Sequence, residues 1–284
     1  MLDHSKIKSQ ALQSLTAPRR DVLESAIKEE KEEGGAPSEL VKQLKTTESP
    51  GVIFGPYLFL CWLLDVLFTN RPIQRFWFLE TVARMPYFSY ITMLTLYESL
   101  GWWRSSSDVR RVHFAEEWNE VQHLKIMESL GGDRLWLDRF LARHAAIFYY
   151  VILNHVWLIS PSFAYNFSEL IEFHAVDTYG EFVDANEELL KSMPAPQEAK
   201  DYYEGCDLFM FDEFQTGREV SSRRPTINNL YDVFCNIRDD ELEHVKTMFQ
   251  VWLSVWCIAP FPTLGMTSSS MSRPCSRYGW VFGA

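Results

Sequence analysis

The sequence has little that would indicate a secreted, zinc-binding or nucleic-acid-binding protein. Its five cysteines form no Cys-x-x-Cys pair and show no regular spacing, which argues against a structural zinc site and a disulfide framework. Lysine and arginine number 27 against 38 aspartate and glutamate, so the net charge is −11. Because a nucleic-acid partner requires a basic face, we predict none. The first residues also lack the basic stretch and apolar run of a secretory signal.

Strand signals are scarce as well. The chain contains no Asn-Gly or Asp-Gly hairpin turn and no sustained alternation of apolar and polar residues. By contrast, residues 114–130, 169–190 and 230–252 carry helix-forming side chains with apolar residues at spacings of three and four. Since 47% of the residues are apolar, the chain can fill one large core. We therefore predict an all-α protein.

Composition divides the chain into three parts. Residues 1–50 are rich in charge of both signs and poor in large apolar side chains, which predicts a flexible charged arm. Residues 51–255 hold the apolar and helical segments and are predicted to form the helical domain. Residues 256–284 match no pattern and receive no function.

The longest apolar run, residues 52–68, is a poor membrane-spanning segment. A spanning helix needs about 20 apolar residues, and this run is shorter. We also expect Gly55 and Pro56 to break its helix near the start.

Two further apolar stretches, 85–97 and 145–159, are compatible with three structures. Each can be a bundle helix with one face in lipid, an ordinary core helix or a spanning helix. The sequence Trp102-Trp103-Arg104 is typical of an anchor at the membrane interface. Together these features favour a monotopic protein with interfacial membrane-binding helices.

Two segments share a Glu-x-x-His spacing. Glu120 and His123 lie in the first, and Glu241 and His244 lie in the second. Residues i and i+3 of a helix lie on the same face, so each pair presents a carboxylate and an imidazole toward one point. One metal ion can accept both groups. For either pair alone, a solvated helix face is the alternative explanation.

Glu80 and Glu172 lie among apolar side chains, where an ionised carboxylate needs a partner. Judged alone, each is explained by a structural ion pair, and Arg84 is the candidate partner of Glu80. Added to the two Glu-x-x-His pairs, however, they complete the ligand set of a ferritin-like four-helix bundle with a di-iron centre. The six predicted metal ligands are Glu80, Glu120, His123, Glu172, Glu241 and His244. Oxygen-rich ligation with one nitrogen per metal suits iron or manganese better than zinc.

Four segments resemble the iron-binding motifs of the alternative oxidase superfamily. They read LETVARMPYFSY, NEVQHL, EFHAVDTY and RDDELEH. The resemblance covers roughly residues 50–250 and is greatest to the plastid terminal oxidase branch, because residues 211–234 resemble the extra stretch of that branch. It implies a membrane-bound quinol oxidase that oxidises plastoquinol and reduces dioxygen to water at two non-haem iron ions.

The resemblance also implies roles for residues beside the ligands. Tyr179 resembles the redox-active tyrosine of the family, and a buried tyrosine with a satisfied hydroxyl is the alternative. Asn119 and Asp240 each precede a ligand glutamate and resemble residues that orient ligands through hydrogen bonds. For these two, helix capping or solvation is the alternative role.

Arg75, Leu79 and Thr178 resemble the lining of the quinol pocket. Arginine offers a fixed fork of donors for a quinone oxygen, although an arginine near lipid headgroups would look the same in sequence. His174 stands where mitochondrial relatives carry glutamate. It is therefore either a pocket residue or a spare ligand.

The resemblance implies a chloroplast thylakoid location, peripheral or monotopic, and a cyanobacterial thylakoid is compatible with the sequence. Three rivals remain open: a di-iron hydroxylase or ferroxidase, a mitochondrial-type ubiquinol alternative oxidase, and a non-enzymatic helical protein of the membrane surface. In the last of these, the glutamate and histidine residues would merely pair with arginine. A homodimer is expected if an apolar helix face remains after packing.

Overall fold

The computed structural model describes residues 51–101, 107–205 and 225–258. Within these ranges it contains seven α-helices and no strand. The helices are α1 (Gly51–Leu67), α2 (Pro72–Ser99), α3 (Ser107–Ser129), α4 (Trp136–Ile159), α5 (Pro161–Lys191), α6 (Gln197–Tyr203) and α7 (Leu230–Ile258). The prediction of an all-α protein is confirmed.

Several predictions concern segments outside the described residues. These segments are the charged arm 1–50, the Trp102-Trp103-Arg104 anchor, residues 211–224 of the plastid-type stretch and the tail from residue 259. The division of the chain into arm, helical domain and tail therefore stays a prediction.

Four long helices, α2, α3, α5 and α7, form the bundle that sequence analysis predicted. Helix α3 runs back along α2, and α7 runs back along α5. The remaining helices cover this bundle: α1 packs on α5, α4 packs on α2 and α5, and the short α6 packs on α3. The bundle therefore has four inward faces that can present side chains to one interior.

That interior consists of two apolar layers with a polar layer between them. One apolar layer includes Phe76, Phe182 and Phe234, and the other includes Phe173 and Met248. Burial of each such side chain contributes about 1.5–3 kcal/mol. On α2, α3 and α7, the predicted metal ligands lie between the positions that supply the two apolar layers, and on α5 Glu172 lies beside Phe173 of the second layer. The apolar packing thus fixes the height at which the polar groups meet.

Helix α1 differs from the prediction, because it runs without a break through Pro56. Proline removes an intrahelical hydrogen bond and is unfavourable inside a helix, so the continuous helix needs support from its surroundings. The helix is held from outside by apolar packing, since Tyr57 and Cys61 are buried against Leu170 of α5. Tertiary contact therefore outweighs the local signal.

None of the helices in the described ranges is long and apolar enough to cross a membrane. Helix α4, which contains the stretch 145–159, buries Leu153 and Trp157 in the bundle. Its opposite face is exposed and apolar: Phe148 is 68% exposed and Ile159 is 82% exposed. This helix has the form of a bundle helix with one uncovered apolar face.

Two adjacent glycines end α3 where it crosses α2. Gly131 has a φ of 84°, and its N–H bonds the Glu128 carbonyl while the Gly132 N–H bonds that of Met127. This is the Schellman pattern, which favours glycine at the left-handed position. A Cβ on Gly132 would lie 2.4 Å from the Cβ of Trp77, so the crossing has no room for a side chain.

We predict that Gly132→Ala destabilises the bundle, because either Trp77 or the helix crossing must shift. Overpacking of this kind lowers the free energy of unfolding by about 1–3 kcal/mol. Gly55→Ala is the matched control: a Cβ there meets no atom within 4 Å, and alanine in a helix favours stability by about 0.5–1 kcal/mol. Denaturant unfolding measures both, and equal stability of Gly132→Ala and the parent would contradict the close crossing.

Candidate metal centre

The structure brings all six predicted ligands together in the polar layer. Each is at most 2% exposed. They form two groups in which the potential ligand atoms all lie within 4.8 Å of one another. The groups are Glu80, Glu120, His123 and Glu241, and Glu120, Glu172, Glu241 and His244. Because Glu120 and Glu241 belong to both groups, each could contribute a ligand to two metal ions.

The contacts within the centre cross between α3 and α7. His244 of α7 has its Nδ1 atom 2.9 Å from Oε1 of Glu120, and His123 of α3 has its Nδ1 atom 3.2 Å from Oε1 of Glu241. Each imidazole thus faces the carboxylate of the opposite helix. The i, i+3 spacing on both helices produces this arrangement, since it directs both members of a pair into the same interior.

The burial of several carboxylates in one place shifts the pKa values of Glu120, Glu172 and Glu241. Burial, and then the charges of Glu241 and Glu80, raise the pKa of Glu120. Burial and Glu241 likewise raise the pKa of Glu172. For Glu241, burial acts to raise the pKa, but the His123 and His244 contacts outweigh it and the pKa falls. Burial alone would lower the pKa of His123, yet hydrogen bonding to Glu241 and Glu80 raises it to about 10.

The hydrogen-bond pattern of the centre fits a bound cation. Glu80 Oε2, both carboxylate oxygens of Glu120, Glu241 Oε2 and His123 Nδ1 are buried, and none makes a well-aligned hydrogen bond with the described residues, although His244 and His123 lie within ion-pair distance of Glu120 and Glu241. Buried polar atoms are normally paired, so a cluster of unsatisfied oxygens and a nitrogen indicates a missing partner. Carboxylate and imidazole donors with no thiolate suit iron or manganese. The residues present therefore fit a pair of metal ions.

The alternative explanation for Glu80 does not hold. Arg84, its candidate ion-pair partner, reaches Glu117 on α3 instead, with Nη2 2.7 Å from Oε1. The Nε2 atom of His174 lies 3.0 Å from Arg75 Nη2, and His174 belongs to neither metal-binding group. Burial and then the Arg75 charge lower the pKa of His174 to about 3, so its ring is neutral. His174 is therefore placed with Arg75 and not as a spare ligand.

Asp240 contacts His123 on the side of the ring that faces away from the metal-binding groups. The His123 Nε2–H donates to Asp240 Oδ2 over 2.9 Å, which leaves Nδ1 facing Glu80 and Glu241 as a ligand atom. Asn119 donates to the same carboxylate oxygen over 3.1 Å. Outer carboxylates of this kind fix the tautomer and orientation of a metal-ligating histidine. The predicted orienting residues thus lie beside a predicted ligand.

Two tyrosines of the short helix α6 complete this arrangement, and sequence reasoning missed both. Tyr203 donates its hydroxyl to Asp240 Oδ2 over 2.9 Å, and Asn119 donates to the Tyr202 hydroxyl. They belong to a helix of one to two turns that has no ligand spacing. Only the adjacent pair of aromatic residues with polar tips could have drawn attention to them.

Tyr179 contacts Glu80, another predicted ligand of the group that contains His123. It is fully buried, and its hydroxyl donates to Glu80 Oε1. Its ring stacks on Phe76 with centroids 4.2 Å apart and planes 7° apart. Burial and then the Glu80 charge raise its pKa, so the phenol keeps its proton. The predicted redox tyrosine therefore lies one hydrogen bond from a predicted ligand.

The predicted quinol-pocket residues lie where α1, α2 and α5 meet. Arg75 is 8% exposed, and its Nη1 atom lies 2.6 Å from Asp65 Oδ1 on α1. Its other arm reaches His174 on α5. Leu79 and Thr178 are half-buried, and Thr178 donates to the backbone carbonyl of His174. Sequence reasoning missed the pairing of Asp65 with Arg75, because an acidic residue in an apolar run does not reveal its partner.

Known proteins resemble this chain over the region that contains the predicted ligands. A family model described as Alternative oxidase matches residues 46–251. Ubiquinol oxidase 4, chloroplastic/chromoplastic, of Arabidopsis thaliana is 56% identical over 186 residues, which are 66% of this chain and 53% of that protein. Ubiquinol oxidase 1b, mitochondrial, of Oryza sativa subsp. japonica is 28% identical over 186 residues, or 63% of this chain and 48% of that protein. The chain spans about half the length of the curated relatives it matches.

We predict that the shared carboxylates control metal at both positions. Glu241→Gln keeps the side-chain volume but removes a charge from both groups, so bound metal should fall at both. Glu80→Gln should remove metal from one group only, because Glu80 belongs to one. Glu117→Gln, on the same helix as Glu120 and paired with Arg84, is the control that keeps full metal content. Elemental analysis of the purified proteins measures the number of metal ions per chain. A Glu241→Gln protein with undiminished metal would contradict the assignment of Glu241 to both groups.

Proposed function

The chain belongs to the alternative oxidase family, and on that premise we propose that it is a quinol oxidase that reduces dioxygen to water. One observation carries the proposal: six buried carboxylate and imidazole side chains form two groups that share Glu120 and Glu241. That arrangement can hold two metal ions side by side. A pair of redox-active metal ions could couple the oxidation of quinol, which releases two electrons, to the reduction of dioxygen, which requires four.

We propose two non-haem iron ions as the cofactor. The six predicted ligands would hold them, with Glu120 and Glu241 between the ions. When bound, such a pair supplies the one-electron steps that dioxygen reduction requires. The unsatisfied buried oxygens and the absence of thiolate from both groups support iron over zinc.

Tyr179 is proposed as the side chain that delivers a proton and an electron to the reaction. Its hydroxyl already donates to the Glu80 carboxylate, so the proton has an acceptor in place. The stacked Phe76 ring fixes the phenol in one orientation. Asp240 and Asn119 are proposed to orient His123 through the hydrogen bonds already described.

Quinol is proposed to bind beside Arg75, with Leu79 and Thr178 as further lining. Two arms of the guanidinium are engaged by Asp65 and His174, while its buried Nε makes no hydrogen bond with the described residues. That N–H is available to a quinol oxygen. The guanidinium donates to Nε2 of the neutral His174 ring, and the low pKa of His174 disfavours its protonation, so His174 is proposed to position Arg75 and not to take up the proton of the quinol.

The plastid branch is supported by the comparisons. Identity is 56% to the relative named chloroplastic/chromoplastic and 28% to the rice mitochondrial one. We therefore propose plastoquinol as the donor and the thylakoid membrane of a plastid as the location. A mitochondrial-type ubiquinol oxidase is the alternative, and parallel assays with plastoquinol and ubiquinol analogues separate the two.

A monotopic attachment is proposed through the apolar faces of α1 and α4. Phe59, Trp62 and Val66 of α1 are all more than half exposed, as are Ile147 and Phe148 of α4. Exposed apolar and aromatic side chains of this kind suit the boundary between headgroups and acyl chains. The Arg75 site adjoins α1, so a quinol dissolved in lipid would reach it without crossing water. A homodimer also stays a proposal.

We predict that Tyr179→Phe stops quinol-dependent oxygen uptake and leaves bound iron unchanged. Loss of a positioned proton donor lowers turnover by roughly 10²-fold or more, while the ligands are untouched. Tyr150→Phe, at a half-buried tyrosine of α4 that bonds Thr92, is the matched control with wild-type turnover. An oxygen electrode measures uptake, with product analysis to exclude hydroxylation of the quinol. A Tyr179→Phe enzyme with full turnover would refute the proposed role.

We predict that Arg75→Ala raises the KM for quinol about tenfold or more, because a hydrogen bond to a charged group contributes about 1.5–3 kcal/mol. Arg84→Ala, which removes an arginine of the same helix that pairs with Glu117, serves as the control. Steady-state assays over a range of quinol concentrations give both parameters. An unchanged KM for quinol in Arg75→Ala would show that quinol does not bind beside Arg75.

A further inference from the structure

A second Glu–His pair on α3 is used by neither metal-binding group. His113 and Glu116 are 0% and 2% exposed. The His113 Nδ1 atom lies 2.9 Å from Glu116 Oε2, and its Nε2 atom lies 3.0 Å from the Tyr165 hydroxyl on α5. A buried acid in contact with a buried imidazole requires a function or a compensating partner.

The three groups form one continuous hydrogen-bonded line. A carboxylate only accepts, so His113 donates from Nδ1 to Glu116, and its Nε2 then accepts from the Tyr165 hydroxyl. An additional proton can reside on the imidazole or on the carboxyl group without any change of partners. Histidine and glutamate both exchange protons readily in this way.

Glu116 is also placed next to the metal centre. It lies one helical turn before Glu120 on the same face of α3, and its charge acts on His244 and Tyr87. Tyr87 in turn donates to Glu172 Oε1 over 2.8 Å. Oε1 of Glu116 is buried and makes no hydrogen bond with the described residues, so one oxygen of this acid is available to a water molecule or a reactant.

The position along α3 separates this pair from the other polar contacts. His113 and Glu116 precede Glu120, whereas His123 and its contact to Asp240 follow it. The groups that lie against His113 are three tyrosines, Tyr87 and Tyr90 from α2 and Tyr165 from α5. From α7, His244 feels the charge of Glu116. The ion-pair contact of Glu116 is with His113, a group that can give up its proton. The pair is therefore suited to exchange a proton, and it does not form a permanent ion pair with a lysine or arginine side chain in any contact described above.

We propose that Glu116 and His113 form a proton-relay pair, in which Glu116 passes a proton to an oxygen atom being reduced at the metal centre and His113 replaces it. The inference rests on the proposed quinol oxidase function. Reduction of one dioxygen to two waters consumes four electrons and four protons, and two quinols release the same numbers. The pair lends a proton and regains one that quinol oxidation releases, so the stoichiometry is unchanged.

Glu116→Gln in the full-length, iron-loaded protein tests the proposal. Glutamine keeps the shape and can still accept from His113, but it cannot pass on a proton. We expect kcat to fall about tenfold or more, with unchanged KM for quinol, unchanged iron content and a larger solvent deuterium isotope effect on kcat. Glu116→Asp, which retains a transferable proton, should recover part of the lost rate.

Glu117→Gln is the matched control, since it is the adjacent glutamate of α3 and pairs with Arg84. It should keep wild-type kcat and isotope effect. Wild-type values in Glu116→Gln would overturn the relay, and so would a loss of kcat that merely follows a loss of iron, because that result indicates a structural role. If the wild type consumes no oxygen with any quinol, the proposed function fails first and the relay fails with it.

The metal-free protein offers a readout that does not depend on activity. With histidine labelled by nitrogen-15, we expect one slowly exchanging ring N–H signal that is absent in His113→Gln. That signal should shift in Glu116→Gln and stay in place in Glu117→Gln. A His113 signal that does not respond to Glu116→Gln would show that the hydrogen-bonded pair does not exist.

Discussion

The burial of four carboxylates beside two imidazoles is the constraint on which the rest of the structure depends. Glu80, Glu120, Glu172 and Glu241 lie in one layer of the bundle, and each is nearly or fully inaccessible to solvent. Such a cluster is unfavourable without opposite charge, because burial and mutual repulsion both disfavour the ionised forms. Two histidines offset only part of this. The apolar layers above and below hold the carboxylates in place, so the fold maintains a site that a pair of cations would stabilise.

Three sets of polar contacts surround this centre, and each approaches a different ligand. Asp240 fixes the ring of His123, Tyr179 donates to Glu80, and Tyr87 donates to Glu172. These contacts orient the ligands from outside the centre and leave the inward oxygens unsatisfied. The proposed quinol site at Arg75 adjoins α1, and the proposed proton-relay pair of His113 and Glu116 precedes Glu120 on α3, so electron entry and proton supply would lie at different positions around the centre.

Sequence alone could predict much of the ligand set, because helical periodicity determines which side chains share a face. The two Glu-x-x-His pairs followed from i, i+3 spacing, and Glu80 and Glu172 followed from their apolar surroundings. The structure was needed to show that Arg84 turns to Glu117 and leaves Glu80 to the centre. Contacts between distant helices, such as Asp65 with Arg75 or Tyr203 with Asp240, could not be predicted because they depend on packing. The path of α1 through Pro56 was wrongly predicted for the same reason.

X-ray absorption at the iron edge of the iron-loaded protein tests the central claim most directly. We predict a shell of oxygen and nitrogen neighbours without sulfur, and a second iron within about 4 Å, the range of two-metal sites. Glu241→Gln should abolish the iron–iron scattering. Iron bound singly, with no second iron at that distance, would contradict the two-metal centre and the function proposed from it.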